Sequence, residues 1–350
     1  ILHDDPYPVK AMMVMAANPA VTCANTNVVV EALNKLDFLV VVDIFMTPTA
    51  KLADIVLPAC TFLEQTRYAT YDTHADHAWN VPSRIMFSPK VVEPLYESWS
   101  DWKIICELGK KMGYKEYFPW KTREEAIDYE LKQFGITCDE LRANPEGIIV
   151  PLPSILYTKF SGFLGGAIRG ALKLTMLRNY PDTDQKYAGF LKGFLTPSKK
   201  VEIYSEQLEK LGYDPLPVYR EPAESPVSQP ELAKEYPFIL IAGSKLKMYT
   251  HSMMRNIPDL RKHQPKNLLE INPKAAAKLG IRDGDVVKVE SLRGSIRSLA
   301  KVTDTIDPRV VHLYHGFEES NCNILTDHKA FDPITGSTGL KSSLCKVTKI

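Results

Sequence analysis

Five apolar residues in an unbroken row, "FLVVV" (Phe38 to Val42), run straight into Asp43. Such a run suits a strand only in a sheet covered on both faces, because a half-exposed strand alternates apolar and polar side chains. Its surroundings fit that demand. "AMMVMAANP" reads as a buried strand ending at Asn18 and Pro19, "NVVVEALNKL" as a helix capped by Asn25 or Thr26, and "DIVLPA" as a third strand. Before the third strand a short helical turn is expected, with Thr47 as N-cap and Pro48 at its first position. The order βαβαβ predicts a parallel sheet with crossover helices.

In such sheets ligands bind beyond the carboxyl ends of the strands. Asn18 follows the first strand, Asp43 ends the second, and Glu64 and Gln65 come shortly after the third, so one crevice can collect them. An aspartate there can hold a nucleotide through ribose hydroxyls or the N–H edge of a purine. It can equally cap the turn that follows, and local geometry leaves both open. NAD bound in the usual way is excluded, because "AANPAVTCAN" stands where a GxGxxG loop would let backbone approach a pyrophosphate.

Downstream, "SWSDWKIICELGKKMG" and "TREEAIDYELKQFG" read as helices stopped by Gly113 and Gly135, with Asp101 as a carboxylate at the start of the first. "YREPAESPVSQPELAKEYP" (Tyr219 to Pro237) is a linker by composition. Past it come "FILIAGS", "LLEINPKAAAKLGI", a hairpin in "DGDVVKVESLRGSIRSLAKVT" with turns at Asp283 to Asp285 and at Arg293 to Gly294, and "RVVHLYHGF". Short strands with one small helix predict a compact β-barrel. The expected division is an α/β parallel-sheet domain over 1–218, a linker over 219–236 and a mostly-β domain over 237–350.

With 350 residues, 45% of them apolar, more than one domain is expected. A net charge of +1 with 24% charged residues provides no global field for nucleic acid or an anionic membrane, so no nucleic-acid partner is expected. The six cysteines show no ligand spacing and are expected as buried free thiols. "YTKFSGFLGGAIRGALKLTML" (Tyr157 to Leu177) is apolar, but Lys159, Arg169 and Lys173 interrupt it before the roughly 20 residues a spanning helix needs. Asp72, His74, Asp76 and His77 cluster, yet no fixed third and fourth ligand accompanies them, so a solvated loop is expected and no metal ligand is assigned. The chain reads as starting mid-protein.

Several stretches, in order, carry a family resemblance: "ANP" after a strand, "VVDIFMTPTAKLADIVLPACTFLE", "SDWKIICELGKKMG", "TPSKKVEIYSE", "IAGSKLKMYTHSMMRNIPDLR" and "LLEINPKAAAKLGIRDGDVVKVESLRGSIRSLAKVT". Together they resemble the C-terminal half of the molybdopterin oxidoreductases of the DMSO reductase family. The resemblance implies a nucleotide-binding α/β domain followed by a double-psi barrel, and a molybdenum or tungsten ion held by the dithiolenes of two molybdopterin guanine dinucleotides. By position it implies cofactor contacts at Asn18, Val42, Asp43, Gln65 and Asp101. In the barrel it implies contacts along the loop Ala242, Gly243, Ser244, Tyr249 and His251, and at Phe317, Asn323, Lys341 and Ser342. Asp43 would then recognise the guanosine end of one cofactor.

Two departures stand out. "QTRYATYDTHADHAWNVPSR" replaces the family's glycine, Asn and Gly-Arg contacts, and "SKL" replaces the arginine-bearing "GR", leaving Lys245 or Lys247 to supply a cation. The tail "HGFEESNCNILTD" is most similar to the branch containing acetylene hydratase and the sulfur-compound reductases. The implied iron-sulfur motif, its [4Fe-4S] cluster and the metal-ligating residue belong to an N-terminal half outside this chain. No catalytic residue is therefore assigned, His251 and His315 read as cofactor-loop or structural groups, and the isolated chain is expected to be inactive. Expected partners are that N-terminal half, an iron-sulfur electron-transfer subunit and a small substrate. The implied activity is two-electron redox; a non-redox hydratase or hydroxyl transferase and a non-catalytic nucleotide-binding module are the alternatives.

Overall fold

The structure is a computed structural model that describes residues 1–71, 83–150, 198 and 200–350. The Asp72, His74, Asp76 and His77 cluster and the stretch 157–177 lie outside these residues. The chain forms two compact units, one of residues 1–59 with 219–350 and the other of residues 60–218.

In the first unit β1 (Ala11–Met15), β2 (Phe38–Asp43) and β3 (Ile55–Pro58) form a parallel sheet in the order β1-β2-β3, with Ala11 opposite Phe38 and Val40 opposite Ile55. The unbroken apolar run has its predicted consequence from its second residue onward: Leu39, Val40, Val41 and Val42 are all buried, whereas Phe38 at its start is exposed. Helices α1 (Pro19–Thr22) and α2 (Thr26–Lys35) carry the chain from β1 to β2. Leu33 and Leu36 pack on Val14, Leu39, Val41 and Ala50 to make the core of this layer. Asn18 and Asn25 occupy the N-cap positions, but neither side chain caps its helix. Before β3 the Ala50 N–H donates to Thr47 Oγ1 at 3.2 Å, as the expected cap requires.

The 60–218 unit contains a sheet that sequence reasoning does not anticipate. Strands β4 (Arg67–Tyr71), β5 (Ser83–Ser88) and β6 (Ile148–Val150) pair antiparallel in that order. Helices α3 (Asp101–Lys111), α4 (Arg123–Leu131) and α5 (Cys138–Ala143) accompany it, and Ile127, Leu131 and Leu141 pack on Ile85.

The carboxyl-terminal strands β7 (Phe238–Ile241), β8 (Leu268–Ile271), β9 (Val286–Ser291), β10 (Gly294–Val302), β11 (Val310–His312) and β12 (Ser343–Lys349) close a barrel in the order β10-β8-β11-β7-β12-β9. The pairs β10–β8 and β11–β7 are parallel and the rest antiparallel. Alternation on β9 buries Val287 and Val289 against Leu240, Leu269, Ile271 and Val311. Closure depends on β12, which bridges β7 and β9. The 219–236 segment contains the helix Pro230–Glu235, and its Glu224 accepts the Leu344 N–H of β12 at 2.6 Å.

The sheet belongs with the barrel in one unit, whereas the expected division grouped it with residues up to 218. At the end of the sheet one fully buried hydroxyl, Thr49, fixes the chain. It accepts the Ala20 N–H at 3.1 Å and donates to Asn18 Oδ1 at 2.8 Å, so α1 is tied to the turn before β3. Thr49→Val keeps the shape but leaves the Ala20 N–H and Asn18 Oδ1 short of a partner. We expect it to lower stability by about 1–3 kcal/mol, read as a fall in the urea midpoint, with Thr49→Ser close to wild type.

Candidate functional site

The sheet contributes Asn18, Val42 and Asp43. Asn18 is buried, and its Oδ1 accepts from both the hydroxyl and the N–H of Thr49, at 2.8 and 3.3 Å. Val42 is buried and its carbonyl accepts the Ala16 N–H at 3.0 Å, so it shapes the strand end. Asp43 Oδ1 accepts the Phe45 N–H at 3.1 Å, so the capping role is realised. Its second oxygen accepts no bond among the described residues. Burial raises the Asp43 pKa, against the lowering effect of the nearby Phe45 and Ile44 backbone N–H groups.

The barrel contributes loops held tightly to one another. The Ala242 N–H donates to Leu340 O at 2.8 Å, and Gly243 passes so near that a Cβ there would stand 3.2 Å from Leu340 Cβ. This brings Ala242 and Gly243 beside the segment that carries Lys341 and Ser342. The His315 N–H donates to Ser244 O at 2.8 Å. Gly316, at φ +90°, has no room for a Cβ, which would run into the His251 carbonyl. Tyr249 and Phe317 are buried edge to face with centroids 6.3 Å apart, and the Arg255 guanidinium lies 3.7 Å over the Phe317 ring. Arg255 also donates to Gln264 O and to Glu319.

Sheet and barrel meet at two asparagines. Asn323 is fully buried, and its Nδ2 donates to Val21 O on α1 at 2.7 Å. Asn321 Nδ2 donates to Ala20 O at 3.2 Å and Thr26 Oγ1 at 2.9 Å. Asn25 contacts His328 Nδ1 at 2.9 Å, and Lys51 pairs with Glu318 at 3.0 Å. Thr49, Asn321 and Thr26 carry this junction and had no site assignment in the sequence; the nearest signal was the polar run "SNCN" between apolar segments.

The second hydrogen of the Asn323 amide sets the polarity of a histidine chain. It faces His315 Nδ1 at 3.3 Å, and His315 Nε2 faces His251 Nδ1 at 3.0 Å. Burial, with His251 and Lys245 nearby, lowers the His315 pKa to about 4, and burial followed by Lys245 lowers that of His251. Both rings are therefore neutral at pH 7. Because His315 Nδ1 accepts, its proton sits on Nε2 and points at His251 Nδ1, which leaves the His251 proton on Nε2. That N–H lies 3.4 Å from the Lys245 ammonium. Two donors stand side by side, and among the described residues neither has an acceptor. Left-handed backbone at Ala16, Asn25, His251 and Met254 falls on these loops.

Gln65 and Asp101 belong to the other unit. Gln65 Nε2 reaches Cys60 O and Thr61 O at 3.4 and 3.5 Å, and Asp101 is the first residue of α3. The cap of that helix is Ser100, whose side chain accepts the Lys103 N–H. Glu64 is a buried brace. The N–H groups of Thr61 and Leu95 bond its two oxygens at 2.7 and 2.8 Å and hold its pKa down. Among the described residues no three His, Cys, Asp or Glu side chains come together as metal ligands, and no helix is long and apolar enough to cross a membrane. The six thiols are free, and Cys23 is exposed where a buried thiol was expected.

Residues 238–344 match the Molydopterin dinucleotide binding domain, and residues 4–111 match Molybdopterin oxidoreductase. The chain is 34% identical over 313 residues to acetylene hydratase of Syntrophotalea acetylenica, covering 89% of this chain and 38% of that protein. It is 32% identical over 352 residues to the F420-dependent formate dehydrogenase subunit alpha of Methanocaldococcus jannaschii, covering 98% and 43%. The solved structure of acetylene hydratase from Pelobacter acetylenicus superposes with a TM-score of 0.75 at 32% identity, over 99% of this chain and 45% of that one. The chain thus spans less than half the length of the relatives it matches. Two domain matches in the order its sheet and barrel occupy, with a third of the residues shared along nearly the whole chain, place it among the molybdopterin oxidoreductases of the DMSO reductase family.

Proposed function

We propose that this chain forms part of the wall of a molybdenum or tungsten bis(molybdopterin guanine dinucleotide) site in an oxidoreductase that carries out two-electron redox on a small substrate. The observation that carries this reading is the donor pair of Lys245 and His251 Nε2–H, joined to the sheet through His315 and Asn323. Neutral donors with one cation suit a pyrophosphate or a pterin edge, and an aspartate with a free oxygen at a strand end suits guanine N–H groups or ribose hydroxyls. The residues present fit the group. When bound, it supplies the redox chemistry; the chain binds it, orients it and keeps water out. Asn18, Val42, Asp43, Gln65 and Asp101 are proposed contacts from the amino-terminal part. Ala242, Gly243, Ser244, Tyr249, His251, Phe317, Asn323, Lys341 and Ser342 are those from the barrel, taken as a double-psi barrel. The remaining part of the protein would bring the metal-ligating residue and a [4Fe-4S] cluster, and a separate iron-sulfur subunit would pass electrons.

Identity to acetylene hydratase supports a second reading, hydration without net electron transfer. Dye-coupled turnover by the full-length protein favours redox, whereas substrate hydration with no dye reduction favours the alternative.

In the full-length protein, Asp43→Ala should remove a charged acceptor worth about 1–3 kcal/mol and lower both guanine and metal content. Asp43→Asn keeps an acceptor for the Phe45 N–H and so separates the cap from the ligand contact; full occupancy in both variants would overturn the assignment. The chain as given should retain little molybdenum, tungsten or iron by elemental analysis and reduce no dye, because only one side of the cofactor is clasped.

The histidine chain adds a pH dependence. His315 has a folded pKa of about 4 against 6.5 in the open chain, so protons favour the unfolded state between those values. Its stabilisation is complete above pH 6.5 and is lost as pH falls toward 4, on the order of 3 kcal/mol. Urea midpoints between pH 7 and 4.5 should fall less steeply in His315→Gln than in the wild type.

A further inference from the structure

The turn between β9 and β10 carries Arg293, which takes no part in the donor set above. Its guanidinium is mostly buried, and Nη2 pairs with Glu224 at 2.5 Å and Asp327 at 2.8 Å. Glu224 belongs to the 219–236 segment, and its other oxygen accepts the Leu344 N–H at the start of β12. The Arg293 carbonyl accepts from Asn27 Nδ2 of α2 at 3.0 Å. Gly294 beside it is packed so closely that a Cβ would stand 2.9 Å from Ile324 Cγ2 and 3.3 Å from Asn27 Nδ2. One two-residue turn therefore engages α2, the 219–236 segment, the loop through Asp327 and, through Glu224, the first residues of β12.

The energetics make this an anchor. Two carboxylates share one guanidinium in a largely buried place, and removing the cation leaves like charges facing each other with their solvation already lost. Arg293 Nη1 is buried without a partner among the described residues, beside a cavity of about 200 Å³ lined in part by Gln229, Ser342 and Ser343. Lys341 and Ser342 lie directly before the strand that Glu224 pins.

We propose that Arg293 is a positioning residue: through Glu224 and Asp327 it holds residues 327–344 where Lys341 and Ser342 close on the cofactor. The anchor stands on the geometry alone, and its consequence rests on the cofactor reading above.

The test uses the full-length protein with Arg293→Gln, Arg293→Lys and Glu224→Gln, reading backbone hydrogen exchange and bound guanine after gel filtration. Arg293→Gln should speed exchange across 327–344 by about tenfold or more, leave β1–β3 unchanged and shed guanine. Because one nitrogen meets both carboxylates, Arg293→Lys should restore much of the protection. Glu224→Gln should reproduce the effect at Leu344, and the Arg293→Gln/Glu224→Gln pair should be no worse than the sum of the single changes. Unchanged exchange in 327–344, or a uniform rise throughout the barrel, would overturn the anchor. A local rise with wild-type guanine content would overturn the positioning role. A wild-type protein without guanine would refute the cofactor reading instead, and the exchange pattern would still decide the anchor.

Discussion

The amide of Asn323 donates to the Val21 carbonyl across 302 residues of sequence, and Asn321 does the same to Ala20 across 301. Both carbonyls sit on buried residues of α1, where an unpaired backbone oxygen is costly. Satisfying them from the barrel forces the loop through residues 315–328 against the carboxyl end of the sheet. Thr49 completes the arrangement from below by taking the Ala20 N–H and the Asn18 side chain. The end of the first sheet is therefore not an open crevice bounded by loops of its own. It is half built by a segment that folds as part of another layer.

Charge within this junction is sparse. Its hydrogen bonds run between amides, hydroxyls, backbone groups and neutral histidines, and the formal charges, Asp43, Lys245 and the Lys51–Glu318 pair, stand toward its edges. Low pKa values for His315 and His251 are a consequence of that design, since a buried imidazolium next to a lysine would be opposed by both desolvation and repulsion. The fixed tautomers turn an amide on one layer into an N–H presented on another. Strained backbone at His251 and the Cβ-free passage of Gly316 hold the two histidine loops at the separation this requires.

Much of the fold was legible in local sequence. The apolar run of β2, the β9–β10 hairpin, whose turn falls at Leu292 and Arg293, one residue before the expected place, and the Thr47 cap all express backbone rules that act within a few residues. Asp43 was legible as a strand-end acid with two possible roles, and its cap is present while one oxygen stays open. The β4–β5–β6 sheet was not legible as a unit, because β6 (Ile148–Val150) lies far along the chain from β5 (Ser83–Ser88) and pairs with it only through tertiary contact. Composition marks 219–236 as a linker but does not reveal its contacts, since the pairing of Glu224 with Arg293 leaves no periodic signal.

The sequence by itself determined strand and helix identity in the first sheet and over most of the barrel, the parallel sense of the first sheet and the polar residues available at its end, because periodicity, capping and turn chemistry are local. Membership of the family was likewise carried by ordered motifs. Only the tertiary structure decided that the first 59 residues belong with the barrel, that β12 closes it between β7 and β9, and that Asn323, His315, His251 and Lys245 form one directed chain. The physical reason is that buried polar groups must find partners wherever packing brings them, and for Asn321 and Asn323 those partners lie 295 to 302 residues away.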